Sequence, residues 1–184
     1  MDRHGPDRIT DIRLERLKVD GFHRFTWMLE SPFPALTYLS LGGEGSHDFY
    51  KDPHDDYVIS KVFLGGSAPS LQTLILFHLR FPALPKLLLS TTQLVTLRLY
   101  LVPTLLKFSL REIVNCLAAL PKLKQLDITH PYTFRDPDPL PTCVVLPSLT
   151  SFDFNGEFEE LLSHIDAPML QTLSFSFEHM RRIP

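Results

Sequence analysis

The stretch APSLQTLILF, which spans Ala68–Phe77, occurs a second time in nearly the same form as APMLQTLSFS at Ala167–Ser176. Both stretches contain the pattern Leu-x-x-Leu-x-Leu, with phenylalanine in place of the last leucine in the second. A sequence pattern that repeats within one chain predicts a repeated structural unit, in which each copy adds a short segment to a shared core.

The pattern recurs along the whole chain, with Ile, Val or Phe at some positions. Successive copies are 22, 35, 23, 29, 26 and 21 residues apart, mostly within the range of leucine-rich repeats. The alternating apolar residues predict a short strand in each copy, and such strands must stack to bury their apolar side. We therefore expect an α/β fold: a leucine-rich-repeat solenoid of about seven irregular repeats, with parallel strands on the concave face and helices or irregular turns on the convex face. The copies begin at Leu14, Leu36, Leu71, Leu94, Leu123, Leu149 and Leu170.

The segments between the strands predict turns and helices. Because proline fixes φ and has no N–H group, a proline two residues before the first leucine should end the preceding element and lead the chain, extended, into the strand. Five copies have this proline, at Pro34, Pro69, Pro121, Pro147 and Pro168. Apolar residues at helical spacing predict helices over 109–120, about 156–165, 55–64 and, within 81–90, from about Pro85 onward.

Composition indicates one domain and excludes several classes of partner. We expect a charged tail over 1–8, repeats over 9–177 and a second tail over 178–184. The formal charge of −3 gives no general attraction to nucleic acid or to an anionic membrane. The N-terminal residues lack the apolar core of a secretory signal. Cys116 and Cys143 form neither a Cys-x-x-Cys pair nor a metal-ligand spacing, so two reduced thiols are favoured over a disulfide. Reduced thiols favour a cytoplasmic or nuclear protein.

Six stretches carry a family resemblance: SPFPALTYLSL (31–41), FLGGSAPSLQTLIL (63–76), FPALPKLLLSTTQLVTLRL (81–99), CLAALPKLKQLDI (116–128), LPSLTSFDFNG (146–156) and HIDAPMLQTLSF (164–175). Together they resemble the leucine-rich-repeat region of fungal F-box-like proteins, over residues 31–177. The resemblance implies the substrate-receptor arm of a cullin-type ubiquitin ligase, in which an F-box docks on an adaptor and the repeats hold the target protein.

The F-box itself is not found in this chain. Adaptor and cullin subunits are therefore expected as partners only if such a module exists upstream of Met1. The residues that follow Ser176 are too few for a full helix and a cap over the last strand, which predicts either a fragment or a protein that has lost the module. The alternative function is a leucine-rich-repeat scaffold or inhibitor protein without a ubiquitin role.

Candidate contact residues follow from the alternation of side chains across a sheet. The third, fifth and seventh positions of each copy should point outward, and in the first copy these are Arg16, Lys18 and Asp20. We expect a protein partner to contact the outward residues Tyr38, Thr73, Ile75, Phe77, Thr96, Arg98, Tyr100, Gln125, Asp127, Ser151 and Asp153.

The middle of this set decides the functional interpretation. Apolar and aromatic side chains beside an arginine, with a polar rim, are typical of a protein-binding hot spot. In the alternative interpretation a loop or the terminal tail covers Ile75 and Phe77, while Arg98 and Asp127 neutralise each other across adjacent strands.

Two other segments are candidate sites. The stretch SHDFYKDPHDDY over 46–57 contains two His and four Asp side chains that could ligate a divalent metal, but a solvated loop leading into a helix is favoured. The Pro- and Asp-rich stretch over 130–143 is expected to be a surface loop or a rim contact. Phosphate-binding and nucleophile motifs are absent from the sequence. We therefore expect no enzymatic activity, no cofactor and no metal.

Overall fold

A computed structural model of the chain describes residues 6–44, 57–100, 110–130, 143–156 and 159–176. The helices within these ranges are α1 (Val19–Met28), α2 (Leu84–Ser90), α3 (Leu110–Ala118) and α4 (Glu159–Ser163). Short 3-10 turns occupy Pro6–Arg8 and Phe63–Gly66. The strands are β1 (Asp11–Leu17), β2 (Tyr38–Gly43), β3 (Thr73–Phe77), β4 (Thr96–Tyr100), β5 (Gln125–His130), β6 (Val144–Val145), β7 (Ser151–Gly156), β8 (Ile165–Asp166) and β9 (Thr172–Ser176).

Seven of these strands form one sheet in the order β1-β2-β3-β4-β5-β7-β9. Each neighbouring pair is parallel. The order in the sheet is the order in the chain, and short helices alternate with the strands. Strands β6 and β8 form a separate parallel pair. The predicted α/β class and the parallel strands are confirmed.

The core lies between one side of the sheet and the layer that contains the helices. The first leucine of the copy has no exposed area in five repeats: Leu36, Leu71, Leu94, Leu123 and Leu149. In these five copies, the side chains of the fourth and sixth positions join them in one apolar cluster. The helices contribute Phe22, Leu84, Leu87, Leu117 and Leu161 to the same cluster. The apolar residues of these repeats therefore form a single core.

A tight turn precedes the strand in each of these repeats. The backbone N–H of Leu71 donates to the carbonyl oxygen of Ala68 at 3.1 Å, and Leu170 donates to Ala167 in the same way at 3.0 Å. In both of these turns proline, Pro69 or Pro168, is the second residue, where its fixed φ is favourable. The prediction that Pro69 leads the chain extended into the strand is therefore corrected: the proline lies inside the turn, and the chain becomes extended after it.

The first strand begins earlier than predicted. In the observed register Asp11 of β1 lies beside Tyr38 of β2. Tyr38 is the third position of its copy, so the first copy starts at Ile9 and not at Leu14. Its apolar positions are Ile9, Ile12 and Leu14, with isoleucine where the other copies have leucine.

This shift moves three predicted outward residues. Lys18 lies after the end of β1, and Asp20 lies in α1. Arg16 lies where the register of β1 changes, with a positive φ of 54°, as in a β-bulge. The outward positions of the first copy are instead Asp11, Arg13 and Glu15, which lie five residues before the predicted ones.

The predicted helices have mixed outcomes. Those over 109–120 and from about Pro85 are confirmed as α3 and α2, and the one over about 156–165 contains the shorter α4. The helix expected over 55–64 is wrong for the described residues, because Val58 forms a β-bridge with Arg80 and a 3-10 turn begins at Phe63. Helix α1 and the β6–β8 pair were not predicted.

Candidate protein-binding surface

The side of the sheet opposite the core is called here the outer face. The strand register places the eleven predicted contact residues on this face, in rows that cross neighbouring strands about 4.8 Å apart. The rows are Tyr38-Thr73-Thr96-Gln125-Ser151, then Ser40-Ile75-Arg98-Asp127-Asp153, then Gly42-Phe77-Tyr100-Thr129-Asn155. The structure therefore brings the predicted residues together.

A stacked aromatic pair lies at the centre of the outer face. The rings of Phe77 and Tyr100 are nearly parallel, with centroids 4.9 Å apart and an angle of 6° between their planes. Gly42 lies on the other side of Phe77, where an added Cβ would be 3.1 Å from the Phe77 Cβ. The Phe77 ring therefore lies between a glycine backbone and the Tyr100 ring. Both aromatic side chains remain partly exposed.

A hydrogen bond fixes the outer end of this pair. The hydroxyl of Tyr100 donates to Oδ2 of Asp127 on the next strand. Burial raises the pKa of Tyr100 to about 12, and the bond to Asp127 adds to the shift. The phenol is therefore a protonated donor at neutral pH. Stacking and the hydrogen bond together hold the ring in one orientation.

The charged row beside the aromatic pair is not neutralised by direct contact. Arg98, Asp127 and Asp153 are adjacent in register. Among these described residues, Arg98 forms no ion pair within 4.0 Å with Asp127 or Asp153. Arg13, in contrast, forms an ion pair with Asp11. Burial raises the pKa of Asp127, as does the charge of Asp153, while the Tyr100 hydroxyl and Arg98 lower it. The predicted alternative, direct Arg98–Asp127 pairing, is not formed.

Ile75 contributes less surface than its position suggests. It lies on the outer face between Ser40 and Arg98, yet only 8% of it is exposed. Its neighbour Ser40 is fully buried and donates a hydrogen bond of 2.6 Å to Oε1 of Glu15. The accessible part of this region is therefore the aromatic pair and the Arg98 side chain.

Polar side chains surround this centre. The guanidinium of Arg13 lies 4.3 Å from the centroid of the Tyr38 ring and forms a cation–π contact. Thr96 Oγ1 donates to Oε1 of Gln125 at 3.3 Å. Gln125 and Asp153 are exposed, while Thr73 and Ser151 are partly exposed. Such a rim is typical of a protein interface, whose edges stay in contact with water.

Sequence reasoning missed the part of the surface that β1 provides. Arg13 and Glu15 contact Tyr38 and Ser40, but the leucine pattern places the first copy at Leu14. The signal that identifies them is the Ile-x-x-Ile-x-Leu pattern over 9–14, once isoleucine is accepted at the first and fourth positions.

The two other candidate segments fall mostly outside the described residues. This holds for 46–56 of the His- and Asp-rich stretch and for 131–142 of the Pro-rich stretch. Tyr57 is buried and packs edge-on against Phe22, with ring centroids 5.2 Å apart. Across the part of the chain that the structure describes, no group of three or more metal-ligand side chains occurs, and no helix has the length and apolarity to cross a membrane.

The two cysteines are free thiols. Burial raises the pKa of Cys116 to about 11, and the charge of Glu112 adds to the shift, so this thiol is protonated and unreactive at neutral pH. Cys143 is exposed.

Comparisons of the chain with family models, with curated proteins and with solved structures found no match. The repeat residues and the geometry of the outer face are the observations from which a function can be proposed.

Proposed function

We propose that the chain is a leucine-rich-repeat solenoid whose sheet forms the concave face, and that this face binds a protein without catalysing a reaction. The repeat spacing, the parallel strands in chain order and the helices on the core side of the sheet support the architecture. The observation that carries the binding function is the Phe77–Tyr100 stack, held by Asp127 on the outer face.

A fixed aromatic pair favours protein binding for an energetic reason. Ordering a flexible side chain at an interface costs about 0.5–1.5 kcal/mol, and a ring that is already ordered avoids most of this cost. Aromatic and arginine side chains also dominate the binding energy of many interfaces. Tyr100 and Arg98 lie two residues apart on the same face of β4 and are partly exposed, with Asp127 and Thr129 beside them on β5. This arrangement has the features of a preformed hot spot.

The cellular role we propose is the substrate-binding repeat region of an F-box-like ubiquitin-ligase receptor. The resemblance of the repeat residues supports this role. A repeat scaffold or inhibitor protein would use the same face without a ubiquitin ligase. Purification of the full-length protein from its source cells separates the two. Adaptor and cullin subunits should copurify with a receptor, and their reproducible absence would leave the scaffold role.

The binding surface is tested by Tyr100→Ala in affinity capture from the source cells, with captured proteins quantified for each variant. Loss of the ring should weaken binding by ~1–2 kcal/mol, or roughly tenfold in Kd, for a partner of this face. Leu89→Ala is the matched control, because Leu89 is 54% exposed and lies on α2, away from the outer face. Equal capture by a folded Tyr100→Ala variant and by the control would reject the proposed surface.

A further inference from the structure

The charges of the outer face are distributed unevenly between its two halves. Strands β1 to β4 contribute two acidic residues and two arginines at outward positions, so their charges balance. Strands β5, β7 and β9 contribute nine outward residues, of which two are aspartates and none is cationic: Gln125, Asp127, Thr129, Ser151, Asp153, Asn155, Thr172, Ser174 and Ser176. The second half of the outer face is therefore negatively charged, and its other side chains are polar and uncharged.

The two aspartates lie directly beside each other. Asp127 and Asp153 are register partners on the parallel strands β5 and β7, which lie about 4.8 Å apart. Like charges that face each other on neighbouring strands destabilise a sheet. Burial raises the pKa of Asp127, and the charge of Asp153 raises it further. The fold therefore keeps an unfavourable pair of carboxylates on the face that we propose binds a partner.

Arg98 offsets only part of this negative charge. It lies on the other side of Asp127, one strand away, and its charge lowers the pKa of Asp127. Asp153 has Asp127 on one side and Ser174 on the other. Within the described part of the chain, no cationic side chain lies within 4.0 Å of either carboxylate. The row Arg98-Asp127-Asp153-Ser174 therefore has an excess of negative charge, and Asp153 is exposed.

The two carboxylates also have hydrogen-bonding capacity that the fold does not use. The hydroxyl of Tyr100 donates to Oδ2 of Asp127. No donor from the described ranges reaches Oδ1 of Asp127 or either oxygen of Asp153. A guanidinium group presents several N–H donors in a planar fork that matches carboxylate oxygens, and its plane and stem pack well on an aromatic ring. The free carboxylate oxygens and the partly exposed Tyr100 ring therefore suit an arginine side chain.

We propose that the protein bound by the outer face contributes an arginine side chain, whose guanidinium group lies between the carboxylates of Asp127 and Asp153 and whose stem packs against Tyr100. This inference rests on the proposed binding function and specifies the chemistry of the partner. The arginine relieves the repulsion between the two aspartates, which the chain retains without a partner. An acidic protein segment would be repelled by the same two carboxylates, so the partner surface is basic at this point.

The chemistry of the partner is tested first by selection from a random peptide library displayed on phage, with the complete chain as bait. Peptides that also bind a folded Tyr100→Ala variant are removed, so those retained depend on the outer face. Arginine should be enriched at one position of the retained peptides relative to the starting library. If no peptide distinguishes the two baits, the binding face itself is rejected, and the inference with it. Retained peptides without an enriched arginine would overturn the inference alone.

The contact with the aspartates is then tested by fluorescence anisotropy with a selected peptide. Asp153→Asn should weaken binding about fivefold or more, because the guanidinium group loses a charged acceptor. Asp166→Asn is the matched control, since Asp166 is an exposed aspartate on β8, in the separate strand pair. Circular dichroism checks that both variants are folded. Equal affinity of the two variants for the peptide would overturn the proposal.

A change in the peptide completes this test. Citrulline in place of the arginine removes the charge and keeps nearly the same shape. It should weaken binding to the unmodified chain and have little effect on binding to Asp153→Asn, because the interaction is already lost there. A citrulline effect of the same size on both proteins would show that the arginine binds elsewhere, and would overturn the proposed contact while leaving the binding face intact.

Discussion

The stretches Ala68–Phe77 and Ala167–Ser176 have most of their residues in common, but their side chains are buried to different extents. Both enter a parallel strand through the same proline-containing turn. In the first, the leucines at 71, 74 and 76 have no exposed area, because strands lie on both sides of β3. In the second, Leu173 is 49% exposed and Phe175 is 38% exposed. The repeat pattern therefore specifies a strand and its turn, while burial depends on the next unit in the stack.

The two stretches also differ in the residues whose side chains lie on the outer face. Ile75 and Phe77 of the central strand are replaced by Ser174 and Ser176 in the last one. Phe77 stacks on Tyr100, whereas Ser176 lies beside Asn155. The shared positions build the fold, and the outward positions that differ make the central strands the candidate binding surface.

The largest expected effect comes from truncating the same repeat position in both strands. Leu74→Ala should lower the free energy of unfolding by about 2–5 kcal/mol, because it leaves a cavity in a fully buried site. Leu173→Ala should cost about 1 kcal/mol or less, since half of that side chain is already in water. Urea denaturation of both variants at the same protein concentration measures the difference. Equal losses would show that the last strand is as well covered as the central one.

A smaller change in free energy is expected when outer-face residues of the two strands are exchanged. Phe77→Ser gives β3 the residue that β9 has at the same repeat position, Ser176. This change should weaken binding of a partner captured by the outer face by ~1–2 kcal/mol. Ser176→Phe should give no gain, because no ring lies beside position 176 in the described sheet. Titration calorimetry with the purified partner measures both. The comparison fails if Phe77→Ser binds normally while remaining folded, or if Ser176→Phe binds more tightly.

The smallest expected effect is the dependence of stability on alkaline pH. The pKa of Tyr100 is raised by burial to about 12, against about 10 in an unfolded chain. The folded state therefore holds this proton more tightly, and the resulting stability is complete below about pH 10 and lost as the pH rises toward 12. In the last strand, Thr172–Ser176 contains no titratable side chain and should contribute no such dependence.

Tyr100→Phe removes the titrating hydroxyl and keeps the stacked ring. Urea midpoints of this variant should fall less steeply over the alkaline range than those of the unmodified chain. Absorbance titration should show that a tyrosine with a pKa of about 12 is missing. Identical pH dependence of the two proteins would mean that the Tyr100 proton is not held by the fold.

Much of the fold was predictable, because the leucines of the repeat report directly on which residues are buried. The first copy was misplaced because Ile9 and Ile12 replace leucine, while Leu14 and Leu17 offer a competing match. Helix α1 was missed for a related reason. Its apolar residues surround the helix, with Phe22 buried but Trp27 and Met28 exposed, so no single apolar stripe marks it.

The candidate site was predictable in its membership but not in its contacts. Strand alternation identifies which residues share the outer face, since this follows from the backbone alone. The burial of Ile75 and the bond from Tyr100 to Asp127 depend on side-chain packing between different strands, and sequence spacing contains no information on rotamers. The alternative interpretation, in which Arg98 pairs directly with Asp127, depends on the same side-chain packing and is not observed.

The agreement between chain order and sheet order bears on how the protein is made. During synthesis, at about 5–20 residues per second, each strand emerges only after the strand that it packs against, within seconds of it. No strand of the main sheet has to wait for a distant partner, so a ribosome-bound chain can add repeats one at a time onto a growing edge.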